Sequence, residues 1–407
     1  MSRSVVVLAR CASYEIEEVR AAVRRVWQTI PGTQGLASRG GRVFVKINHL
    51  GRHPREAAIA TDPAVAAAVA EILMEGGARV TVGDGLEVPG EAPYRLSGYE
   101  EYAKRFGFGL VNLKGTDYVK VPNPAGGTFA SFHVSREVLD ADAVVNVPKL
   151  KTHMLTLFTG AIKNAYGYLP LGLRRQLHRE FPVPGEFARA IVGIYLTRAP
   201  AVSIMDGIVA LAGDGPSRGG RPHRLGVVMG STDAAAMDAT ACRIIGLPPE
   251  GVPTLTHACA LGAGVTGEDE IDVVGERLCD LRDEEFALPR TSVFLSAMDG
   301  LPRPAARLLE RALAQTRQWP IVRGWACIGC GLCQRHCPRG AIELRRGIAA
   351  INYAACISCF CCQEFCESDA IAVRPNAAVE FAGQALHALK AAKKGIAAGI
   401  QRILRKG

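Results

Sequence analysis

Short, mostly apolar runs recur along the first 300 residues, and longer segments of mixed polarity separate them. These runs are typical of buried strands and lie at residues 5–8, 43–47, 143–147, 202–205 and 225–229. The longer segments between them have helical character, so strands and helices alternate along the chain. This order of elements predicts an α/β domain.

One βαβ unit has clear boundary signals. Asp62 is placed to cap the free amides of a helix, and Pro63 suits the first helical turn, where its missing N–H costs nothing. Gly76 and Gly77 stop this helix, and residues 79–82 form the next strand. A right-handed crossover makes the two strands parallel, and ligands then bind beyond the carboxyl ends of the strands.

Polar side chains gather at these strand ends. Lys149, Lys151 and His153 follow the third apolar run, before a predicted helix over 155–169. Because a helix N-terminus favours negative charge, we predict an anion-binding site there. Its predicted ligand-binding residues are Lys46, Asn48, Lys149, Lys151, Asn164, Asp206 and Asp233, and its catalytic candidates are His153 and Lys163.

A plainer interpretation of the same residues stays open. Gly160 and Gly167 fall on the predicted helix, where a ligand approaching closely or tight packing on the sheet would each explain them. The lysines could be solvated surface residues. The aspartates, including Asp84, could each be a helix cap or a turn former, and His153 a hydrogen-bonded core residue.

Composition favours a globular protein with an appended module. The chain has 407 residues, 48% of them hydrophobic and 21% charged, so it can bury a core. It shows neither a long apolar span nor a signal peptide, and we expect a cytoplasmic protein without a transmembrane segment. The net charge of +9 comes with no nucleic-acid-binding motif, so we expect no nucleic-acid partner.

Eight of the 13 cysteines form an internal repeat. The run from Cys327 to Cys337 has the spacing C-x2-C-x2-C-x3-C, and the run from Cys356 to Cys366 repeats it. Three thiolates of each run bind one cubane, and the fourth thiolate binds the other cubane. We therefore predict two 4Fe-4S clusters: cluster one on Cys327, Cys330, Cys333 and Cys366, and cluster two on Cys356, Cys359, Cys362 and Cys337. Paired zinc sites are the alternative.

This cysteine pattern resembles the bacterial two-cluster ferredoxin family over about fifty residues. Glu367 stands where that family often has proline after the last ligand, and Cys361 is an extra thiol that we expect to be a small buried hydrophobe. The resemblance implies electron transfer with a redox partner protein, and we expect a place in anaerobic metabolism.

The large domain resembles the domain of unknown function 362 family. The segments that carry this resemblance are 146–153 and 159–167, together with shorter blocks at 43–48, 61–63, 82–84, 206–207 and 231–233. Ile47 stands where the family commonly has proline. The family is similar in turn to the nickel-pincer lactate racemase fold, which implies a three-layer α/β domain with a mostly parallel sheet and a ligand cleft.

Four segments are predicted along the chain. They are an α/β domain over 1–300, a linker over 301–322, a small α+β two-cluster ferredoxin domain over 323–375, and a basic amphipathic helix over 376–407. This last helix packs on the protein or lies on an anionic membrane surface.

Three functions compete. The first is a ferredoxin-dependent reductase, an oxidoreductase that acts on an anionic small molecule. The second is an electron carrier or adaptor that docks a partner oxidoreductase. The third is a non-redox enzyme of racemase type with a redox-sensing module.

Overall fold

A computed structural model of the chain describes residues 3–36, 40–86, 94–181, 184–292 and 318–374. The described strands, in chain order, are β1 (Ser4–Arg10), β2 (Arg42–Ile47), β3 (Arg79–Asp84), β4 (Gly109–Asn112), β5 (Tyr118–Pro122), β6 (Ser131–Ser135), β7 (Ala143–Val147), β8 (Lys149–His153), β9 (Leu157–Thr159), β10 (Val202–Gly213), β11 (Gly220–Ser231), β12 (Ile271–Gly275), β13 (Pro320–Val322), β14 (Ile342–Arg345), β15 (Ile348–Ile351) and β16 (Ile371–Val373).

The described α-helices range from one turn to four turns. In chain order they are α1 (Ile16–Thr29), α2 (Pro63–Glu75), α3 (Tyr99–Phe106), α4 (Arg136–Leu139), α5 (Ala161–Asn164), α6 (Leu171–Glu180), α7 (Pro184–Thr197), α8 (Ala234–Ile244), α9 (Pro253–Ala260), α10 (Leu278–Leu281), α11 (Leu332–His336) and α12 (Cys361–Glu364). None of these described helices is long and apolar enough to cross a membrane.

A 10-stranded sheet organises the large domain. Its order is β12-β1-β11-β10-β7-β2-β3-β4, and β8 pairs with β10 and carries β9. The neighbours β2, β3, β4, β7 and β10 are parallel, whereas β11 runs antiparallel to both β1 and β10. The prediction of a mostly parallel sheet is therefore confirmed.

Side chains along each strand point alternately to the two faces of the sheet, and each face packs into its own hydrophobic core. In β1, Val6 and Leu8 pack into one core, and Val7 and Ala9 pack into the other. Helices α7, α8 and α9 cover the first face, while α1 and α2 cover the second. Two helical layers therefore enclose the sheet, and the predicted three-layer α/β architecture is confirmed.

The predicted start of α2 is confirmed in detail. Asp62 Oδ1 accepts a hydrogen bond from the Ala64 amide at 2.9 Å, and Pro63 is the first helical residue. The helix ends at Glu75, one residue before the predicted glycine stop. Asp62 also pairs with the Arg55 guanidinium, which holds the preceding loop against the helix.

The predicted helix over 155–169 is wrong in its first half. Residues 149–153 form β8 and residues 157–159 form β9, and the turn 154–156 joins them. Leu157, the first residue of β9, has a φ of 66°. Only α5 and a following 3-10 turn, Ala165–Tyr168, are helical. β8 pairs with the edge of β10, and β9 pairs with β8 in turn, so strand pairing overrides the helical pattern over 157–159.

Strand β10 is longer than the apolar run that predicted it. It continues through Asp206 to Gly213 because it pairs with β11 along its whole length. The glycine-rich segment at 213–220 is the connection of this hairpin, in which the peptide bond between Gly215 and Pro216 is cis. It contains no P-loop.

The small module is α+β. It consists of two antiparallel pairs, β13 with β16 and β14 with β15, together with the short helices α11 and α12. Strand β13 begins at Pro320, inside the segment predicted as linker. Residues 301–317 of that linker and the predicted helix over 376–407 lie outside the described residues.

Candidate functional site

The eight repeat cysteines line two cavities of the small module. Cys327, Cys330, Cys333 and Cys366 line one of them, and Cys337, Cys356, Cys359 and Cys362 line the other. Each cavity therefore receives three thiols from one run and the fourth from the other run. Among the described residues, no group of three or more Cys, His, Asp or Glu side chains is arranged to hold a single metal ion. A cubane instead spreads its four ligands over a larger cage. The residues present fit two 4Fe-4S clusters.

Backbone amides point at the sulfurs in the same way in both halves of the repeat. The Ala341 amide donates to Cys337 Sγ, and the Ala370 amide donates to Cys366 Sγ, each at 3.2 Å. These two alanines belong to the Ala-Ile pairs that recur in the sequence. Hydrogen bonds to sulfur help to set cluster potentials, so the repeated dipeptide has a direct physical role.

The small module sits against the large domain through three kinds of contact. Met154 packs with Phe360 and Val373 in a small apolar cluster. Ser217 Oγ donates to the Glu364 carbonyl at 3.3 Å. Arg175 Nη1 donates to the Arg335 carbonyl at 2.7 Å. These contacts place α12, which carries the cluster-two ligand Cys362, beside the sheet edge.

A cleft with a cavity volume of about 80 Å³ lies where the two modules meet. The large domain contributes residues after β2 and β3, residues of α5 and residues of α6, and the small module contributes Cys361, Glu364 and Phe365. Its charged lining residues are Lys151, Lys163, Arg174, Arg175, Asp84 and Glu364. Lys163, Arg174 and Arg175 therefore face two carboxyl groups, of which Asp84 is already paired with Lys46, and this balance favours an anionic ligand.

Two of the three predicted lysines line this cleft. Lys151 is fully buried, and its ammonium donates to the Ile59 carbonyl at 2.8 Å. Lys163 is partly buried and lies 5.6 Å above the Tyr166 ring, with no hydrogen bond or ion pair to any described residue. Burial lowers the pKa of both ammonium groups, that of Lys151 well below its ordinary value. The Lys163 amine is therefore available to a ligand.

The third lysine is paired elsewhere. Lys149 Nζ lies 2.8 Å from Asp206 Oδ2 and 2.7 Å from the Tyr14 hydroxyl, and the Lys149–Asp206 ion pair is fully buried. Neither partner of the pair lines the cleft. Lys149 and Asp206 thus compensate each other inside the protein, and the predicted convergence of three lysines on one pocket does not occur.

Lys46, Asn48 and Asn164 form the floor behind the cleft. Lys46 Nζ lies 2.9 Å from Asp84 Oδ1, and Asn164 Oδ1 accepts from both Lys46 Nζ and Asn48 Nδ2. Burial lowers the pKa of Lys46, and Asp84 opposes this shift. Asn48 Oδ1 lines the cleft without a partner, so it can accept a hydrogen bond from a ligand.

His153 does not line the cleft. Its Nδ1 accepts from the Leu155 amide at 3.0 Å, so Nε2 carries the proton of the neutral ring. Burial and the nearby Lys163 hold the pKa of His153 well below its ordinary value. Nε2 lies 3.6 Å from Glu364 Oε1, and neither atom has a hydrogen-bond partner. His153 therefore lies behind Glu364, which lines the cleft, and does not itself line the cleft.

Asp233 and the two glycines have structural partners. Asp233 Oδ1 accepts from the Ala236 amide at the start of α8, and its other oxygen accepts from Ser4. A β-carbon on Gly160 would lie 2.1 Å from Asp238 Oδ1, and one on Gly167 would lie 2.1 Å from Asp84 Oδ1. Protein side chains therefore approach both glycines closely, and Gly167 also lines the cleft.

Sequence reasoning missed Arg174 and His178. They lie four residues apart on α6, so they share one face of the helix and both line the cleft. Arg174 Nη2 donates to the Gly85 carbonyl at 2.8 Å, while Arg174 Nε and His178 Nδ1 have no partner. Burial lowers the pKa of His178 to about 3. The spacing of four was the only sequence signal for this pair.

The extra thiol Cys361 is buried, as expected, yet it lines the cleft. It lies between two predicted ligands of cluster two, Cys359 and Cys362, at the start of α12. The cleft therefore reaches the immediate surroundings of the second cluster.

Together, the fold and these cavities define a class: an α/β protein that carries an iron–sulfur domain of the electron-transfer type. The family model described as 4Fe-4S dicluster domain matches residues 320–367. The family model described as Domain of unknown function (DUF362) matches residues 43–243. A thylakoid-associated protein of Synechocystis sp. is 31% identical over 267 residues, which cover 65% of this chain and 81% of that protein. The chain belongs to the DUF362 family.

Two solved structures share parts of the fold. The lactate racemase apoprotein of Thermoanaerobacterium thermosaccharolyticum has 13% identity and a TM-score of 0.36, over 55% of this chain and 54% of that one. A protein of Thermotoga maritima has 12% identity and a TM-score of 0.34, over 57% and 59% of the two chains. The chain thus spans somewhat more than half the length of these structures.

Proposed function

We propose that the protein is an iron–sulfur reductase that transfers electrons to an anionic small molecule bound in the cleft between its two modules. One observation carries this proposal. Lys163 and Arg174 of the large domain face the same cavity as Cys361, which lies between two ligands of cluster two. A molecule held by the cationic wall therefore lies beside the second cluster.

The charges and free polar atoms of the cleft indicate the kind of ligand. Charge-assisted hydrogen bonds from Lys163 and Arg174 to a carboxylate or phosphate contribute about 1.5 to 3 kcal/mol each. Asn48 Oδ1 lacks a partner among the described residues and can accept a hydrogen bond. The ligand thus combines an anionic group with hydroxyl or amine donors.

The proposed reaction adds two electrons and two protons to the bound molecule. When bound, the clusters supply the electrons, one each. Lys163 Nζ is the proposed donor of one proton, because its lowered pKa makes the ammonium a stronger acid than an exposed lysine, and water supplies the second proton. His153 Nε2 lies 3.6 Å from Glu364 Oε1 without a hydrogen bond, so His153 has no assigned step in this reaction.

The cleft favours this function over that of an adaptor. An adaptor needs only a docking face, whereas Lys163 has no described partner and the unpaired atoms around it lie in a concave cavity. We further propose that a redox partner protein supplies the electrons and that the protein works in the cytoplasm.

Mass spectrometry of the molecules released on denaturation tests the proposal. Protein purified without oxygen should release one anion at about one molecule per chain, and the variant Lys163→Gln should release much less. Lys104→Gln, which alters an exposed lysine of α3, is the matched control. Equal release from Lys163→Gln and the wild type would contradict a ligand held by Lys163.

A further inference from the structure

Exposed apolar side chains are concentrated on the small module. Among the described residues, eight large hydrophobic side chains are exposed, and five of them belong to this module. Four lie near cluster one. Trp325 is 87% exposed and Ile328 is 69% exposed, and Leu344 and Ile348 are exposed beside them.

These four residues share one surface, which we term the cluster-one patch. Ile328 and Leu344 both line the cavity of cluster one. Gly324, which precedes Trp325, is in contact range of Ile348, since a β-carbon there would lie 3.7 Å from Ile348 Cδ1. The cluster-one ligand Cys330 is itself exposed.

The two clusters differ in what covers them. The cluster-two ligands Cys359 and Cys362 are buried, and Phe360 beside them packs on Met154 of the large domain. Of the cluster-one ligands, Cys333 and Cys366 are also buried, but Cys330 is exposed. In the described part of the chain, no residue of the apolar cluster around Met154 lines the cavity of cluster one. Cluster one therefore faces outward, and cluster two faces the cleft.

Arginines surround the patch. Arg335 and Arg346 are exposed around it, whereas Arg323 is paired with Asp369 at 3.7 Å and Arg345 already neutralises Glu343. Residues 376–407 are themselves basic, with six lysines and arginines, Lys390, Lys393, Lys394, Arg402, Arg405 and Lys406, against Glu380. Charge therefore disfavours this segment as the occupant and favours an acidic one.

We propose that the cluster-one patch is the docking surface of an acidic, one-electron carrier protein. An apolar centre with a charged rim is the usual form of such interfaces. In the transfer, the reduced carrier loses one electron and the oxidised cluster gains it, and no bond or proton changes. This inference rests on the proposed electron-transfer function but not on the ligand of the cleft.

Anaerobic stopped-flow spectroscopy tests the patch, with reduced plant-type [2Fe-2S] ferredoxin as the acidic carrier. Trp325→Ala and Arg346→Glu should each slow the bleaching of the clusters by about tenfold or more, as for loss of an interface anchor or a steering charge. Calorimetry should show a similar loss of ferredoxin affinity. Added salt should slow the wild type, while reduction by dithionite stays unchanged in all variants.

Leu96→Ala and Arg25→Glu alter an exposed leucine and an exposed arginine of the large domain and should change nothing. The proposal fails if the patch variants bind and accept electrons like the wild type, as they would if residues 375–407 covered the patch. It also fails if the control variants lose as much as the patch variants. All rates are measured without a cleft ligand, so either failure leaves the cleft proposal standing.

Discussion

Single residues of the site divide into those with partners and those without. Lys149, Lys151 and His153 alternate along β8 and share one face, yet their partners differ completely. Lys149 is paired with Asp206, 57 residues away, and hydrogen bonds to Tyr14, 135 residues away. The sequence predicted that polar groups gather at this edge, but partners so distant along the chain cannot be inferred from local patterns.

Lys163→Gln should weaken binding of the released anion by about ten- to a hundredfold, the equivalent of one charge-assisted hydrogen bond. The stability of the fold should fall by about 1 kcal/mol or less, because Lys163 loses a cation–π contact with Tyr166 but no hydrogen bond or ion pair to a described residue. Calorimetric titration of both variants with the anion is the measurement, and Lys104→Gln should bind like the wild type. A normal affinity in Lys163→Gln would remove this lysine from the site.

Binding of the anion should weaken as the pH rises. Burial lowers the pKa of Lys163 and Lys151, so both lose their proton below the pH at which an exposed lysine does. The affinity is therefore full below the lowered pKa and falls above it. Titrations between about pH 6 and pH 10 should show this loss, and Lys163→Arg, whose charge persists, should shift it to higher pH. A flat profile in the wild type would contradict a role for these ammonium groups.

At the scale of elements, the sequence was informative where local chemistry decides the structure. Asp62 and Pro63 set the start of α2, and the apolar runs set the sheet strands. It failed at β8 and β9, where pairing with β10 decides, and at the catalytic candidate His153, whose ring points into the protein. The small module's side of the cleft was beyond prediction because it depends on how two domains dock.

The 3-10 turn after α5 tests how tightly the cleft floor is packed. A β-carbon on Gly167 would meet Asp84 and Lys46, so Gly167→Ala should destabilise the large domain by about 1–3 kcal/mol through overpacking. Gly172→Ala is the matched control, because nothing lies within 4 Å of a β-carbon there. Thermal unfolding followed by circular dichroism gives the midpoint of each variant. Equal midpoints for Gly167→Ala and Gly172→Ala would contradict overpacking at Gly167.

Each cluster is predicted to take its fourth cysteine ligand from the other run, and this crossover can be tested. Cys366→Ser should impair cluster one, which takes its other three ligands from Cys327, Cys330 and Cys333, and should spare cluster two. Iron analysis should find about eight irons per wild-type chain and fewer in the variant. Electron paramagnetic resonance of the reduced protein identifies the cluster that is lost. Loss of cluster two alone would contradict the crossover.

At the scale of the whole molecule, the proposed function makes the two modules one route for electrons. The cluster-one patch faces outward, the second cluster lies behind it, and the cleft with Lys163 and Arg174 lies beyond the second cluster. The cysteine repeat predicted the electron-transfer module from sequence alone. The sequence could not show that this module also forms a wall of the cleft.

A single-turnover experiment tests the central claim most directly. Protein with reduced clusters, freed of excess reductant, is mixed with the released anion, and the cluster absorbance and the mass of the anion are followed together. The account predicts that the clusters reoxidise while the anion gains two hydrogens, with two electrons lost for each product. Clusters that stay reduced while the anion keeps its mass would contradict it.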